Sequence, residues 1–310
     1  MNFGQRKLQS APVLFVLLAT IWGGSFVAIE VGLERLPPLL FAALRYDVAG
    51  LMVLGYAAAT HERWLPTRRS GWLSVGVDGA LLIAAFHALL YLGQGYISGA
   101  IAAIVVSLVP LLTVLFDYSL LGEQDLDALS GAGLAFGFVG VAIVADPATI
   151  GLGSTALVGV TLVFLAAASF AFGSVASRPL QSRLPASVHL GWTMLAGGLL
   201  LHVASAVRGE AWAVTWTPTV FAAFAYLVLA SSILGYLFYF ELLDRVGPAE
   251  LNLVNYLVPV VAAVVSWALL GDVLGQTAVT GFAVVFVGFA LLKRDALRCF
   301  VRARTAVPDC

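Results

Sequence analysis

Cysteine and lysine are nearly missing from this chain of 310 residues, and charge of either sign is thin. The cysteines, Cys299 and Cys310, both fall in the C-terminal segment, where they form neither a spaced framework nor a ligand cluster. Neither a disulfide scaffold nor a zinc site is expected from them. The lysines are Lys7 and Lys293, and neither belongs to a G-x-x-x-x-G-K-[ST] segment, so this chain is not expected to draw on ATP. H-E-x-x-H, G-x-S-x-G and C-x-x-C are also missing, which removes the usual signatures of hydrolase and redox chemistry. No cofactor or metal is therefore expected, and no enzyme activity. Charged residues make up 11% of the chain, well below the roughly one quarter of a soluble domain. With 16 basic against 17 acidic residues, nucleic acid has no electrostatic reason to bind.

Apolar residues are what the chain has, at 61% of the total and a mean hydropathy of +0.99. About 20 apolar residues cross the roughly 30 Å hydrocarbon core as a helix. Ten such runs are read, at about 12–33, 39–60, 71–92, 97–120, 128–145, 155–177, 188–207, 219–243, 249–270 and 275–292, with ends uncertain by about four residues. The first follows Arg6 and Lys7 like a signal peptide, but it is too long and lacks a small-x-small site, so it reads as a retained helix. The gaps leave no room for a soluble domain, and the lipid bilayer is the expected surrounding.

Basic residues set the orientation. With the N-terminus in the cytoplasm, that side receives Arg6, Lys7, Arg63, Arg68, Arg69, Arg178, Arg183, Arg245, Lys293, Arg294, Arg298, Arg302 and Arg304. The other side receives Arg35 and Arg208, while Arg45 lies within the second run. Both termini are expected in the cytoplasm of a multi-pass protein of the cell membrane.

The chain also repeats itself. AIAAIVVSLVPLLTVLFDYSLLGE at 100–123 aligns without gaps on AELNLVNYLVPVVAAVVSWALLGD at 249–272, placing Pro110 on Pro259, Gly122 on Gly271 and Glu123 on Asp272. The same offset puts Gly24-Ser25 on Gly173-Ser174, and a closely similar one puts Gly133 and Gly140 on Gly281 and Gly288. A five-helix unit is used twice, over 1–149 and 150–292, followed by a cytoplasmic tail at 293–310. Because five is odd, the copies enter the membrane from opposite sides, as the inverted repeats of secondary transporters do. Pro110 and Pro259 fall mid-span, each removing a backbone hydrogen bond. Matched breaks of this kind point to a substrate site and its gates, although packing kinks would look the same.

These residues carry a resemblance over about 12–292. WGGSF at 22–26, Arg45-Tyr46, the stretch to Pro110 and Gly122-Glu123, and then Pro248-Ala249, Pro259 and Gly271-Asp272 resemble the EamA-type permeases of the drug/metabolite transporter superfamily. Asp272 stands where that family usually has Glu. The resemblance implies a basket of ten helices around a central cavity, walled by spans 1, 3, 4, 6, 8 and 9. It also implies movement of small organic solutes, often export of amino acids, metabolites or drugs.

Ionisable side chains in hydrocarbon face the protein interior or water. Glu30, Arg45, Asp47, Asp78, His87, Asp117, His202 and Glu241 qualify. Glu30 and Arg45 flank the Pro37-Pro38 connection and are expected to pair, either as a helix lock or as a gate. Asp78, Asp117 and Glu241 read as interfacial. His87, with Tyr91 on the same helix face, is a candidate solute contact or proton relay; its repeat counterpart is Tyr236, followed by Tyr239. Packing against a neighbour is the plainer reading of such a histidine. Asn252, Asn255 and Tyr256 precede Pro259 as Ser107 precedes Pro110, and Trp22 and Ser25 lie beside Gly23-Gly24. All are expected to line the substrate site or to join helices. GxxxG at 95–99 and 133–137 predicts close helix contacts, within one chain or in a homodimer.

The expected fold is all-α and polytopic, with ten transmembrane helices as two inverted repeats. The expected function is secondary transport of small organic solutes by alternating access, with export as the leading direction. An importer or exchanger of anionic metabolites is the alternative within transport, and an intramembrane enzyme or a membrane scaffold the alternatives outside it.

Overall fold

The computed structural model describes residues 11–122, 127–146, 154–180, 184–212, 214–251, 253–292 and 294, without the side chains of 244 and 247–250. Eight helices are long and apolar enough to cross a membrane: Ala11–Leu33, Pro38–Thr60, Arg69–Gln94, Gly99–Leu120, Ala128–Ala145, Thr155–Leu180, Ala186–Arg208 and Pro218–Leu243. Two shorter apolar helices, Val254–Leu270 and Gln276–Leu292, complete ten, and we number them spans 1 to 10 in that order. This is an all-helical, multi-pass membrane protein, and no strand occurs among the described residues.

Local chemistry sets the ends. Ser154 and Thr217 accept hydrogen bonds from the amides of Leu157 and Val220, capping the donors that open spans 6 and 8. Gly122 and Gly271, counterparts in the repeat, end spans 4 and 9 at φ +65° and +75°, where a side chain would be strained. Two carboxylates cap helices that are remote in sequence. Glu210 accepts from the amides of Leu39 and Leu40 at the start of span 2, and Glu30 accepts from the Gly99 amide at the start of span 4. A negative charge there complements the helix dipole.

Packing obeys an inverted two-fold relation. Spans 5 and 10 pack together, as do spans 2 and 7, while span 1 packs on span 9 as span 6 packs on span 4. The glycines make the sense of the relation explicit. Gly133 meets Gly288 and Gly140 meets Gly281, so closely that a Cβ at Gly133 would stand 2.5 Å from the Gly288 carbonyl oxygen. Since Gly133 and Gly140 align on Gly281 and Gly288, Gly133 touches the counterpart of Gly140 and Gly140 touches the counterpart of Gly133. That crossed pairing requires antiparallel helices and a symmetry axis between them. The 133–137 motif thus joins two helices of one chain. In the 95–99 motif, Gly99 abuts the Phe26 backbone, whereas Gly95 faces only its own preceding turn.

The helix interruptions fall elsewhere than the prolines suggest. Span 4 is interrupted at Ser107-Leu108, and Pro110 lies in the first turn of the helix that resumes at Val109. Pro259 instead sits inside the unbroken helix Val254–Leu270. The prolines are therefore not a matched pair of breaks. Pro110 needs no amide partner where it stands, whereas Pro259 leaves the carbonyl four residues earlier without one. A second departure follows span 8, where the helix begun at Gly235 continues to Leu251 through the expected loop. The first half carries Gly93 and Gly95 where the second carries Leu242 and Asp244, and the helix then runs on through Gly247 and Pro248.

A matched irregularity does exist. Residues Gly79–Ala85 of span 3 and Tyr226–Leu234 of span 8 are π-helical. The repeat offset carries the first segment onto the second. Such wide turns cluster at functional sites because they shift the phase of the side chains that follow.

Candidate functional site

The two π segments flank one buried cation. Arg45 of span 2 is 4% exposed and donates three hydrogen bonds, all near 3.1 Å. Its Nε donates to Ser232 Oγ, Nη1 to Tyr91 Oη and Nη2 to Ser231 Oγ. Ser231 and Ser232 lie in the π segment of span 8, and Tyr91 lies in the helix that follows the π segment of span 3. Both halves of the chain thus hold the same guanidinium. The ring of the adjacent Tyr46 lies 5.0 Å from its Cζ. Among the described residues every partner of Arg45 is neutral. Glu30 is elsewhere, on the Gly99 amide, so the expected Glu30–Arg45 pair is not formed. Span 4 begins beside span 1 and offers the carboxylate unpaired amides, while Arg45 turns toward span 8.

His87 orients this cluster without entering it. The Ile83 carbonyl, which can only accept, lies 2.9 Å from Nδ1 and fixes the proton there. Nε2 is left to accept from the Tyr46 hydroxyl at 2.5 Å. Both ring nitrogens are engaged in the neutral form, and the side chain is buried against Phe86 and Tyr46.

One turn beyond Ser232 stands Tyr236, within electrostatic range of Arg45. It forms an aromatic group with Trp22 of span 1, at 6.2 Å between centroids, and with Tyr239, which lies 5.8 Å from Trp22. Trp22, Tyr236 and Tyr239 are half-buried, in contrast to Arg45. Aromatic faces beside a charged, donor-rich centre suit a solute with an apolar body and a polar end.

Other expected residues make contacts of their own. Ser25 and Ser107 each donate to a carbonyl of their own helix, that of Trp22 and that of Ile104, both at 2.6 Å. Tyr256 packs on Phe289 of span 10, with ring centroids 3.8 Å apart. Asn255 is half-buried in the first turn of span 9. Asn252 lies outside the described residues.

Asp78 and Asp117 are buried and paired. Asp78 meets His189 at 2.7 Å and Asp117 meets Arg178 at 2.9 Å. Asp47 and His202 also face each other at 2.5 Å, joining spans 2 and 7. Glu241 is exposed and bonded to Arg245 one turn on. Ser231, Ser232 and Tyr46 carry no charge and escape a search for charge in hydrocarbon, whereas His189, the second residue of the 188–207 run, is ionisable and lies within its reach. The available signal was the pair of adjacent hydroxyls in the otherwise apolar stretch YLVLASSIL.

The profile of the EamA-like transporter family matches residues 9–145 and again residues 157–294. The "Uncharacterized inner membrane transporter YedA" of Escherichia coli K12 is 31% identical over 291 residues, covering 91% of this chain and 92% of that protein. "Protein PecM" of Dickeya dadantii is 28% identical, covering 93% of each. A solved crystal structure that is 21% identical superposes with a TM-score of 0.65 over 94% of this chain and 99% of its own, which shows the shared fold.

Proposed function

This chain belongs to the EamA-like transporter family, and we propose that it is a secondary transporter that moves small organic solutes out of the cell by alternating access. The carrying observation is the Arg45 cluster, in which a first-half guanidinium is held by second-half hydroxyls at the level of two repeat-related π segments. A centre bonded to both halves is the place where rocking of one half against the other changes side-chain contacts. Trp22, Tyr236 and Tyr239 form the apolar wall of the same site, and the protein does no covalent chemistry on its cargo. Its address is the cell membrane, with both termini on the cytoplasmic side.

The test is untargeted metabolite profiling of cells and medium, comparing cells that make this protein with vector controls. Solutes enriched in the medium only with the protein support export, and depletion from the medium reverses the direction. A panel unchanged in both compartments removes the transport reading.

A further inference from the structure

A guanidinium carries five N–H donors, and Arg45 uses three. Tyr91, Ser231 and Ser232 each accept from Arg45, and none of the three hydroxyls donates a hydrogen bond to a described residue. Two N–H and three O–H donors in and around Arg45 are therefore left without an acceptor among the described residues. Tyr91 is 0%, Ser231 3% and Ser232 0% exposed, so the donors are deeply enclosed. Elsewhere in the membrane-spanning part the hydroxyls of Ser25, Ser107, Thr113 and Ser174 all donate to a carbonyl of their own helix. The hydroxyls around Arg45 have no such internal acceptor among the described residues. A buried cation among neutral groups is unfavourable unless something supplies the opposite charge.

Building on the transport reading above, we propose that Arg45, with the hydroxyls of Tyr91, Ser231 and Ser232, binds a carboxylate of the transported solute. The cargo is then an organic anion whose apolar or aromatic body lies toward Trp22, Tyr236 and Tyr239. A carboxylate fits better than a phosphate on charge, since one guanidinium surrounded by neutral hydroxyls balances one negative charge. It also fits the planar fork that the guanidinium presents. The anion completes the hydrogen bonds of groups from spans 2, 3 and 8, so it favours the state in which the halves meet around it.

The experiment sorts the solutes found by profiling according to charge. It then measures counterflow of each in proteoliposomes holding the wild type, R45K or R45Q, with equal reconstitution checked by gel filtration. Solutes that depend on the wild type are expected to carry a carboxylate. Their primary amides are expected to be carried about 10- to 100-fold less well, the discrimination expected of hydrogen bonds to a charged group. R45Q should lose that preference and R45K should retain part of it. Cargo that is neutral or cationic overturns the assignment while leaving transport intact, and so does a wild type that carries acid and amide alike. An R45Q protein that still prefers the acid overturns it as well. The acid–amide comparison needs only the wild type, so it decides the matter even if R45Q does not fold. Finding no protein-dependent solute removes the transport reading, and this one with it.

Discussion

Replacing Gly140 by alanine perturbs the contact between spans 5 and 10 at one known point. The added Cβ would stand 2.7 Å from the Gly281 carbonyl oxygen and 2.6 Å from Val285 Cγ2. The carbonyl belongs to a helix backbone, so relief requires moving the helix rather than turning a side chain. Extra volume in a packed interface costs about 1–3 kcal/mol. Alanine also favours the helix over glycine by up to about 1 kcal/mol, a gain that blurs a single measurement. Gly131 supplies the control. It lies on an exposed face of the same helix, and its Cβ would meet nothing within 4 Å. The difference between Gly140→Ala and Gly131→Ala therefore isolates the packing term at about 1–3 kcal/mol. Reversible denaturation of the purified protein in mixed micelles, followed by circular dichroism, measures both. Equal stability of the two variants would refute the close glycine contact, and with it the crossed pairing that defines the symmetry.

Four further outcomes are expected. Removing Arg178 strands the 2% exposed Asp117 carboxylate; because Arg178 is itself partly solvated, Arg178→Ala should cost about 1–3 kcal/mol, and a double-mutant cycle with Asp117→Asn should recover part of it. Asp127 caps span 5 and is held well below the usual carboxylate range by hydrogen bonds from Arg294 first, and then from Ser130. A depressed carboxylate stabilises the fold above its unfolded value of about 3.9 and loses that effect as pH falls through the folded value. The melting gap between wild type and Asp127→Ala should thus stay level from about pH 5 to 8 and close only in stronger acid; a gap that closed near neutrality would contradict the pairing. Pro259→Ala should raise the melting temperature by restoring a helix hydrogen bond, whereas Pro110→Ala, in a first turn, should leave it nearly unchanged; equal shifts would argue for matched kinks after all. Cysteine placed at Arg68 should react with impermeant reagent only from the cytoplasm and at Gly209 only from outside, and the reverse would invert the orientation (Ser182, a natural third probe, lies outside the described residues).

Hydropathy located all ten helices because bilayer thickness imposes a length that composition alone reveals. The internal alignment also singles out Gly122 with Gly271, and Gly133 and Gly140 with Gly281 and Gly288, but which helices those glycines join is legible only in the structure. What pairs with what was less legible. Glu30 and Arg45 are near in sequence and opposite in charge, yet one caps span 4 and the other reaches span 8. Sequence proximity across a tight turn does not tell which helix face each residue presents. His189 and Asp78 pair across 111 residues, a contact that spacing along the chain does not reveal.

The prolines show a different limit. Proline reads as a break in any helix, but its effect depends on whether the amide it lacks would have had a partner. Pro110 falls where a new helix starts and Pro259 where one is already running. The feature that the halves do share, a π segment in spans 3 and 8, contains no proline and follows no pattern that periodicity can detect. Each segment is followed within a few residues by a tyrosine near Arg45, Tyr91 in one half and Tyr236 in the other. A π turn rotates the helix beyond it relative to the helix before it, so these two rings face inward by backbone geometry rather than by apolar spacing. The symmetry that matters for the site is therefore carried by the main chain. Substitutions that restore an α-helical turn in either segment should move Tyr91 or Tyr236 away from Arg45 while leaving both helices intact.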